Sequence, residues 1–214
     1  MKYPVQHTQT TLKPMNMSSA VVLLDAGHGV DTAGKRSPDG SLCEYAWART
    51  VVDEIDSALT AVGVRTEIIT PEESDIPLST RVARVNKYCS IYGTSNCLCV
   101  SVHVNAAGDG SSWMPAHGWS VYVSNNASTA SKTLASCCAT AVSDERLYVR
   151  TPSPGTHYWT QNLAICRDTV CPAILTENLF MDNKDDCEYL LSDGGRATIV
   201  RAHVSGILNY ISAV

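Results

Sequence analysis

The 214-residue sequence contains no long hydrophobic run and no cluster of Lys and Arg residues. Without about 20 consecutive apolar residues it has no candidate membrane span, so we expect no membrane insertion. Its formal net charge is −5, and the absence of a basic patch excludes the electrostatic footprint of a nucleic-acid-binding protein. The polar segment at residues 1–20 lacks the apolar core of a secretory signal, which predicts synthesis and retention in the cytoplasm.

The nine cysteines include no Cys-x-x-Cys pair, so the sequence lacks the paired thiol loops of a cysteine zinc site. We interpret most of these cysteines as small buried hydrophobic residues in a protein made in a reducing compartment. Cys97 and Cys99 are two positions apart in an apolar run, which places both on one face of a strand. Cys166 and Cys171 flank a short turn, and we do not expect them to be paired.

Short apolar segments alternate with helical patterns along the chain. Strands are predicted at 20–24, 64–70, 97–104, 118–124 and 172–178. Helices are predicted at 44–63, 77–93, 127–145, 185–193 and 195–211. This order predicts one α/β domain over residues 20–214 with a mostly parallel sheet, preceded by an extended or poorly ordered arm at 1–19. Polar loops at 105–118 and 149–162 have the length that usually carries function.

Candidate ligand residues follow several of the predicted strands. His28 comes a few residues after the first strand, and His103 and Glu177 each end a later one. Ligands bind beyond the carboxyl ends of the strands in a parallel sheet, so these three residues are predicted to converge. Glu44 begins the first predicted helix, whose N-terminus lies at the same rim.

Two histidines and a glutamate form a common ligand set of hydrolytic zinc sites, which keep a fourth position open for water. Zinc lowers the pKa of that water toward ~7 and polarises a carbonyl group. A second carboxylate is then needed to take a proton from the water and give one to the leaving amine. Either Glu44 is the third ligand and Glu177 the base, or the two exchange roles. The spacing does not decide between these alternatives.

Four motifs in this order resemble those of a known enzyme family. The stretch "LLDAGHG", then Glu44, then "SVHVNA" and then "AILTENLFMDN" resemble the zinc-dependent N-acetylmuramoyl-L-alanine amidases of the Amidase_3 type. The resemblance extends from residue 21 to residue 210. It includes "PLSTRVARVN" at 77–86 and the closing helix with "GILNYI".

This resemblance implies a fold, a reaction and a role for each candidate residue. The implied fold is a single α/β domain with a central, mostly parallel sheet of about six strands flanked by helices. The implied zinc ligands are His28, Glu44 and His103, with Glu177 as the catalytic carboxylate. The implied reaction hydrolyses the amide between the lactyl group of N-acetylmuramic acid and L-alanine of the stem peptide. Zinc would hold the water and the scissile carbonyl oxygen while Glu177 moves the protons.

The loops depart from the common pattern of the family and carry the candidates for substrate contact. Basic residues before the first helix are expected to pair with stem-peptide carboxylates, and aromatic loop residues to lie against sugar rings or the peptide. The candidate substrate residues are Lys35, Arg36, Asn105, Trp113, Tyr158 and Trp159. Gly27 and Gly29 are expected to leave room for the metal and the substrate near the backbone.

Two other functions compete with the amidase prediction. A different zinc peptidase or carboxypeptidase acting on cell-wall peptides would need Arg36 or Arg81 to hold a terminal carboxylate. A non-catalytic wall-binding module would not need Glu177. The expected partner is a peptidoglycan stem peptide or muropeptide, and we expect a monomer. The implied reaction takes place on peptidoglycan, outside the cytoplasmic membrane, but the sequence shows no export signal. These two observations together predict a phage or mobile-element lysin, released from the cytoplasm to act in the periplasm or cell wall.

Overall fold

A six-stranded mixed sheet forms the centre of the computed structural model, which describes residues 17–213. Its strands are β1 (Val21–Ala26), β2 (Arg65–Ile68), β3 (Cys97–Asn105), β4 (Ser120–Val123), β5 (Trp159–Thr160) and β6 (Ala173–Phe180). The strand order is β2-β1-β3-β6-β4-β5. Strands β1, β2, β3 and β6 run parallel, whereas β4 pairs antiparallel with β6 and parallel with β5. The predicted single α/β domain with a mostly parallel sheet of six strands is confirmed.

Helices cover both faces of this sheet. They are α1 (Glu44–Ala61), α2 (Leu78–Tyr92), α3 (Thr129–Asp144), α4 (Ala164–Arg167), α5 (Lys184–Leu191) and α6 (Asp193–Ala213), with a short 3-10 turn at Thr94–Asn96. Helices α1, α3, α5 and α6 enclose the larger hydrophobic core, and α2 and α4 enclose the smaller one. None of the helices between residues 17 and 213 is both long and apolar enough to cross a membrane.

The structure differs from the prediction around the loop at 149–162. Strand β5 lies inside this segment, where the indole ring of Trp159 stacks on Tyr122 of β4 with 6.4 Å between ring centroids. The four-residue helix α4 follows and was not predicted either. A two-residue edge strand and one helical turn are too short to show a periodic pattern in the sequence. Residues 1–16 of the predicted arm at 1–19 lie outside the described residues.

Side chains of the central strands alternate between the two cores. In β3, Leu98, Val100 and Val102 belong to the larger core, whereas Cys97 and Cys99 belong to the smaller one. The predicted placement of the two cysteines on one face is therefore confirmed. Seven of the nine cysteines are buried and all nine are free, as expected for small hydrophobic residues. Toward the carboxyl end of the strands, polar residues replace the apolar ones on the smaller-core face.

Helices α3 and α6 approach each other closely at Gly206. A Cβ atom at this position would lie 2.6 Å from the Cα atom of Cys138, a backbone atom that cannot move aside without shifting α3. We expect Gly206→Ala to lower the free energy of unfolding by about 1–3 kcal/mol, as overpacking of a core does. Gly194→Ala, in the same helix with open space around its Cβ position, is the matched control. Urea unfolding would measure both, and equal stability of the two variants would contradict the close contact.

Candidate metal centre

Three candidate ligands from three elements meet at the carboxyl edge of the sheet. His28 follows β1, His103 lies near the end of β3, and Glu44 is the first residue of α1. One ligand atom from each of the three side chains lies within 4.8 Å of the other two. Glu177 of β6 is the register partner of His103, so its carboxyl group lies beside the cluster. The convergence predicted from the strand ends is therefore observed.

The spacing of these atoms suits a metal ion with tetrahedral geometry. The Nδ1 atom of His103 lies 3.1 Å from Oε1 of Glu44, and the Nε2 atom of His28 lies 3.6 Å from Oε2 of Glu44. Two ligands of a tetrahedral zinc ion with bonds of about 2.0–2.1 Å are separated by about 3.4 Å. The two imidazole rings are nearly perpendicular, with centroids 5.1 Å apart. This donor set can hold a metal ion.

The carboxylate of Glu44 is buried and only partly satisfied. It is 1% exposed, and Oε1 accepts hydrogen bonds from the backbone N–H of Val104 and from the ring of His103. Its Oε2 atom has no hydrogen-bond partner among residues 17–213. A buried carboxylate oxygen without a partner is costly, and a cation beside it removes that cost. The position at the N-terminus of α1 also favours a negative charge.

Burial and charge act differently on the two histidines. Burial lowers the pKa of His28 to about 4, so its ring is neutral and able to bind metal at neutral pH. Burial also opposes the charged form of His103, but the hydrogen bond to Glu44 and the nearby carboxylates outweigh it and raise its pKa. The hydrogen bond with His103, the charges of both imidazoles and the Val104 N–H lower the pKa of Glu44 against the effect of its burial. A metal ion that binds here would compete with protons for His103.

Glu177 has the opposite electrostatic environment from Glu44. Burial, with the added repulsion of Glu44, raises its pKa to about 7, although the charges of His103 and Lys35 oppose the shift. Its Oε2 atom is buried and has no hydrogen-bond partner among the described residues. A carboxyl group with this pKa exchanges protons near neutral pH, as a general acid or base must.

The backbone at His28 has a left-handed conformation, with φ at 58°, that two arginines stabilise. The His28 carbonyl accepts hydrogen bonds from Arg49 Nη2 at 3.1 Å and from Arg81 Nη2 at 3.2 Å. A side chain is excluded at the glycine on either side of His28, for a different reason in each case. A Cβ at Gly27 would lie 2.4 Å from Nδ1 of His103, so this glycine makes room for the ligand ring. A Cβ at Gly29 would clash with the backbone of Asp75, so its role is close packing and not substrate access.

Comparison with known proteins identifies the family. Residues 22–209 match the family model of N-acetylmuramoyl-L-alanine amidases, Amidase_3. The chain belongs to this family. It is therefore an N-acetylmuramoyl-L-alanine amidase, a hydrolase of cell-wall material, as the four sequence motifs predict. The assignment favours the amidase over the carboxypeptidase and the wall-binding module.

Individual relatives agree with this assignment. The endolysin of Bacillus phage SPP1 is 28% identical over 201 residues, which are 91% of this chain and 67% of the endolysin. The crystal structure of the amidase Ami1 from Mycobacterium smegmatis matches with a TM-score of 0.80 at 19% identity, over 93% of this chain and all of that one. An amidase from Clostridium difficile 630 matches with a TM-score of 0.77 at 21% identity, over 90% of this chain and 97% of that one. These structures share the fold.

A cavity of about 570 Å³ opens beside the three candidate ligand residues of the amidase. His28, His103 and Glu177 line it on the sheet side. Its apolar wall comes from the start of α2 and the segment before it, from α4 and the residue before it, and from β6. The wall residues are Ile76, Pro77, Leu78, Leu163, Ala164, Ile165 and Leu175. Sequence reasoning missed these walls, because the start of a predicted helix at 77–78 and a single helical turn near 164 give no sign of which cavity they line.

The candidate substrate residues are distributed unevenly around this cavity. Lys35 is partly buried, and its charge acts on both His28 and Glu177. Lys35 and Arg36 line an adjoining cavity of about 310 Å³ that shares Thr32 with the main one. The other four candidates do not line the main cavity; they are Asn105, Trp113, Tyr158 and Trp159.

The positions of those four residues explain their separation from the cavity. The side chain of Asn105 accepts a hydrogen bond from the adjacent backbone N–H of Ala106. Trp113 is 38% exposed in the loop after β3. Tyr158 lines a groove along α3, and the indole N–H of Trp159 donates to a backbone carbonyl.

Arg81 does not have a free donor for a substrate carboxylate. It is 2% exposed, and each of its five N–H groups has an acceptor inside the protein. The acceptors are the carbonyls of Ile76, Ala26 and His28 and the carboxylates of Asp25 and Asp75. Of the two arginines that are candidates for this role in the carboxypeptidase alternative, only Arg36 is exposed.

The raised pKa of Glu177 predicts a pH-dependent stability of the metal-free amidase. The folded-state pKa, about 7, lies above the reference value of 4.5, so Glu177 stabilises the folded protein fully below pH 4.5. This contribution is lost as the pH rises through 7. We expect wild type to lose stability relative to Glu177→Gln between pH 4.5 and 7, measured by urea unfolding with a chelator present. The exposed Glu188→Gln is the control. Parallel stability curves for wild type and Glu177→Gln would contradict the shift.

Proposed function

We propose that the amidase is a zinc enzyme in which His28, Glu44 and His103 hold the ion and Glu177 transfers protons. We propose further that it hydrolyses the amide between N-acetylmuramic acid and L-alanine of the peptidoglycan stem peptide. The observation that carries this proposal is the cluster of three ligand atoms around the unpartnered Oε2 of Glu44, with a protonatable Glu177 beside it.

The environments of the two glutamates support this division of roles. The lowered pKa of Glu44 keeps it ionised, as a metal ligand must be, and its carboxylate contacts both histidines. The pKa of Glu177 is raised to about 7, and Glu177 is not part of the three-residue ligand cluster. Two titratable groups whose environments push their pKa values apart commonly divide ligand or nucleophile and acid–base roles in this way.

Zinc suits this donor set better than harder cations do. Two imidazole nitrogens and one carboxylate oxygen are typical of catalytic zinc, whereas magnesium and calcium prefer sites built from oxygen alone. When bound, zinc lowers the pKa of a coordinated water toward ~7 and polarises a carbonyl oxygen.

The residues around the cluster supply proton transfer and water exclusion. Glu177, which lines the cavity beside the cluster, would accept a proton from the attacking water and donate one to the leaving amine of L-alanine. The apolar wall residues Leu163 and Ile165 remove water from one side of the peptide path. From the adjoining cavity the charge of Lys35 acts on the site and can pair with a carboxylate of the stem peptide.

We propose that the enzyme reaches the cell wall in the manner of a phage lysin, by synthesis in the cytoplasm and later release to the periplasm or cell wall. The relative that supports this proposal is named an endolysin and aligns with 91% of this chain. The nine free cysteines agree with synthesis in a reducing compartment, since several of them lie in one small core without forming a disulfide.

Metal analysis and activity of single-residue variants test the proposed roles. We expect Glu177→Gln to retain zinc and to lower kcat by about 10²- to 10⁴-fold, the typical contribution of a general acid–base group. We expect His103→Ala to lose zinc, whereas the exposed histidine variant His157→Ala retains it. Full hydrolysis by zinc-loaded Glu177→Gln would show that another group moves the protons.

The product of muropeptide digestion tests the proposed bond. An enzyme that cleaves the N-acetylmuramoyl–L-alanine amide releases intact stem peptides with L-alanine at the amino end, detectable by mass spectrometry. Chelation should abolish this release and added zinc should restore it. Fragments cut within the stem peptide would instead support the carboxypeptidase or peptidase alternative.

A further inference from the structure

A continuous chain of polar contacts leads from Arg81 to the ring of His103. Arg81 Nη1 donates to Oδ1 of Asp25 at 2.7 Å, and the Ser101 hydroxyl donates to Oδ2 of the same carboxylate at 2.5 Å. Oγ of Ser101 then lies 3.1 Å from Nε2 of His103. Arg81, Asp25 and Ser101 are each at most 2% exposed. No water is needed to connect them, and none of the three is a metal ligand in the proposed site.

The chemistry of the groups gives this chain a direction. A carboxylate in an ion pair with a guanidinium is an acceptor and has no proton to donate. The Ser101 hydroxyl has a single proton, and its short contact with Asp25 uses that proton. The Ser101 oxygen can therefore only accept from His103, so Nε2 of His103 carries a hydrogen. The opposite nitrogen, Nδ1, faces Oε1 of Glu44 at 3.1 Å in the ligand cluster.

The same guanidinium also holds the other histidine of the cluster. Arg81 Nη2 donates to the carbonyl of His28, where the backbone is left-handed. Its remaining donors bind Asp75 and the carbonyls of Ala26 and Ile76. Because all five N–H groups are used, the guanidinium is held in a single orientation. One buried arginine thus ties the backbone of one candidate ligand to the side chain of the other.

We propose that Arg81, Asp25 and Ser101 form a positioning relay that keeps the hydrogen of His103 on Nε2 and presents the Nδ1 lone pair to the metal. This inference rests on the metal centre of the proposed function. Metal-binding histidines usually donate their second ring N–H to a fixed acceptor, which orients the ring and selects the tautomer. Here that acceptor is a serine, and the negative charge behind it is Asp25. The three residues act through His103 and do not contact the substrate.

Zinc affinity of a serine variant tests the relay. We expect Ser101→Ala to weaken zinc binding by about 10- to 100-fold, as loss of an outer-shell partner does, measured by competition with a chelator of known affinity. Ser120→Ala is the matched control. Ser120 is a fully buried serine on β4 and the register partner of Glu177, and its hydroxyl has no partner among the described residues. Equal zinc affinity of Ser101→Ala and Ser120→Ala would overturn the relay.

A second variant tests the direction of the chain. Asp25→Asn places an amide that can donate to Ser101, so the serine hydroxyl can turn and donate to Nε2 of His103. The ring hydrogen then moves to Nδ1 and blocks the metal, as in catalytic triads whose aspartate is replaced by asparagine. We expect a larger loss of zinc affinity than in Ser101→Ala, with a circular dichroism spectrum like that of wild type. Wild-type affinity in a folded Asp25→Asn variant would show that Asp25 does not set the tautomer.

Nuclear magnetic resonance of ¹⁵N-histidine-labelled protein separates this inference from the proposed function. At pH 8, the relay predicts a hydrogen on Nε2 of His103, exchange-protected in wild type and in Ser120→Ala but not in Ser101→Ala, with or without zinc. A bare Nε2 nitrogen would overturn the relay. Failure of the wild-type chain to bind zinc in the same samples would instead refute the metal centre, while the Nε2 signal still tests the relay.

Discussion

The buried carboxylate of Glu44 is the interaction on which the site depends. It lies at the N-terminus of α1, contacts both histidines and accepts a backbone N–H from β3, so it joins the first helix to the sheet at the ligand cluster. Among residues 17–213 its Oε2 has no hydrogen-bond partner, which leaves a buried negative charge that a proton or a metal ion must balance. The fold thereby maintains, at the carboxyl edge of the sheet, a cluster of side chains that can hold a cation.

The two carboxyl groups of the site show how similar side chains obtain different chemistry. Glu44 has hydrogen-bond donors and two imidazole rings beside it and stays ionised. Glu177 is buried, and its Oε2 has no hydrogen-bond donor among the described residues. Its pKa therefore rises to about 7. In the proposed mechanism, this separation lets the first carboxylate hold a cation while the second moves protons at the same pH.

Much of this arrangement follows from the sequence, because strand ends in a parallel sheet converge. His28, His103 and Glu177 were predicted to meet on that ground alone, and they do. The roles proposed for Glu44 and Glu177 could not be predicted from spacing, because they depend on which carboxylate oxygen finds a donor after folding. The apolar walls from residues 76–78 and 163–165 were missed, since one is the entry to a helix and the other includes a single helical turn, and neither pattern shows which cavity it lines. The relay had one sequence feature that could have predicted it: Ser101 lies two residues before His103 and therefore on the same face of the strand.

Anomalous diffraction at the zinc absorption edge tests the central claim most directly. Crystals grown with zinc should show one strong anomalous peak per chain between His28, Glu44 and His103, with two nitrogen ligands and one carboxylate oxygen at about 2.0–2.1 Å. Glu177 should lie beside the ion without occupying a ligand position. A peak ligated by Glu177 in place of Glu44, or no peak at this edge of the sheet, would contradict the account.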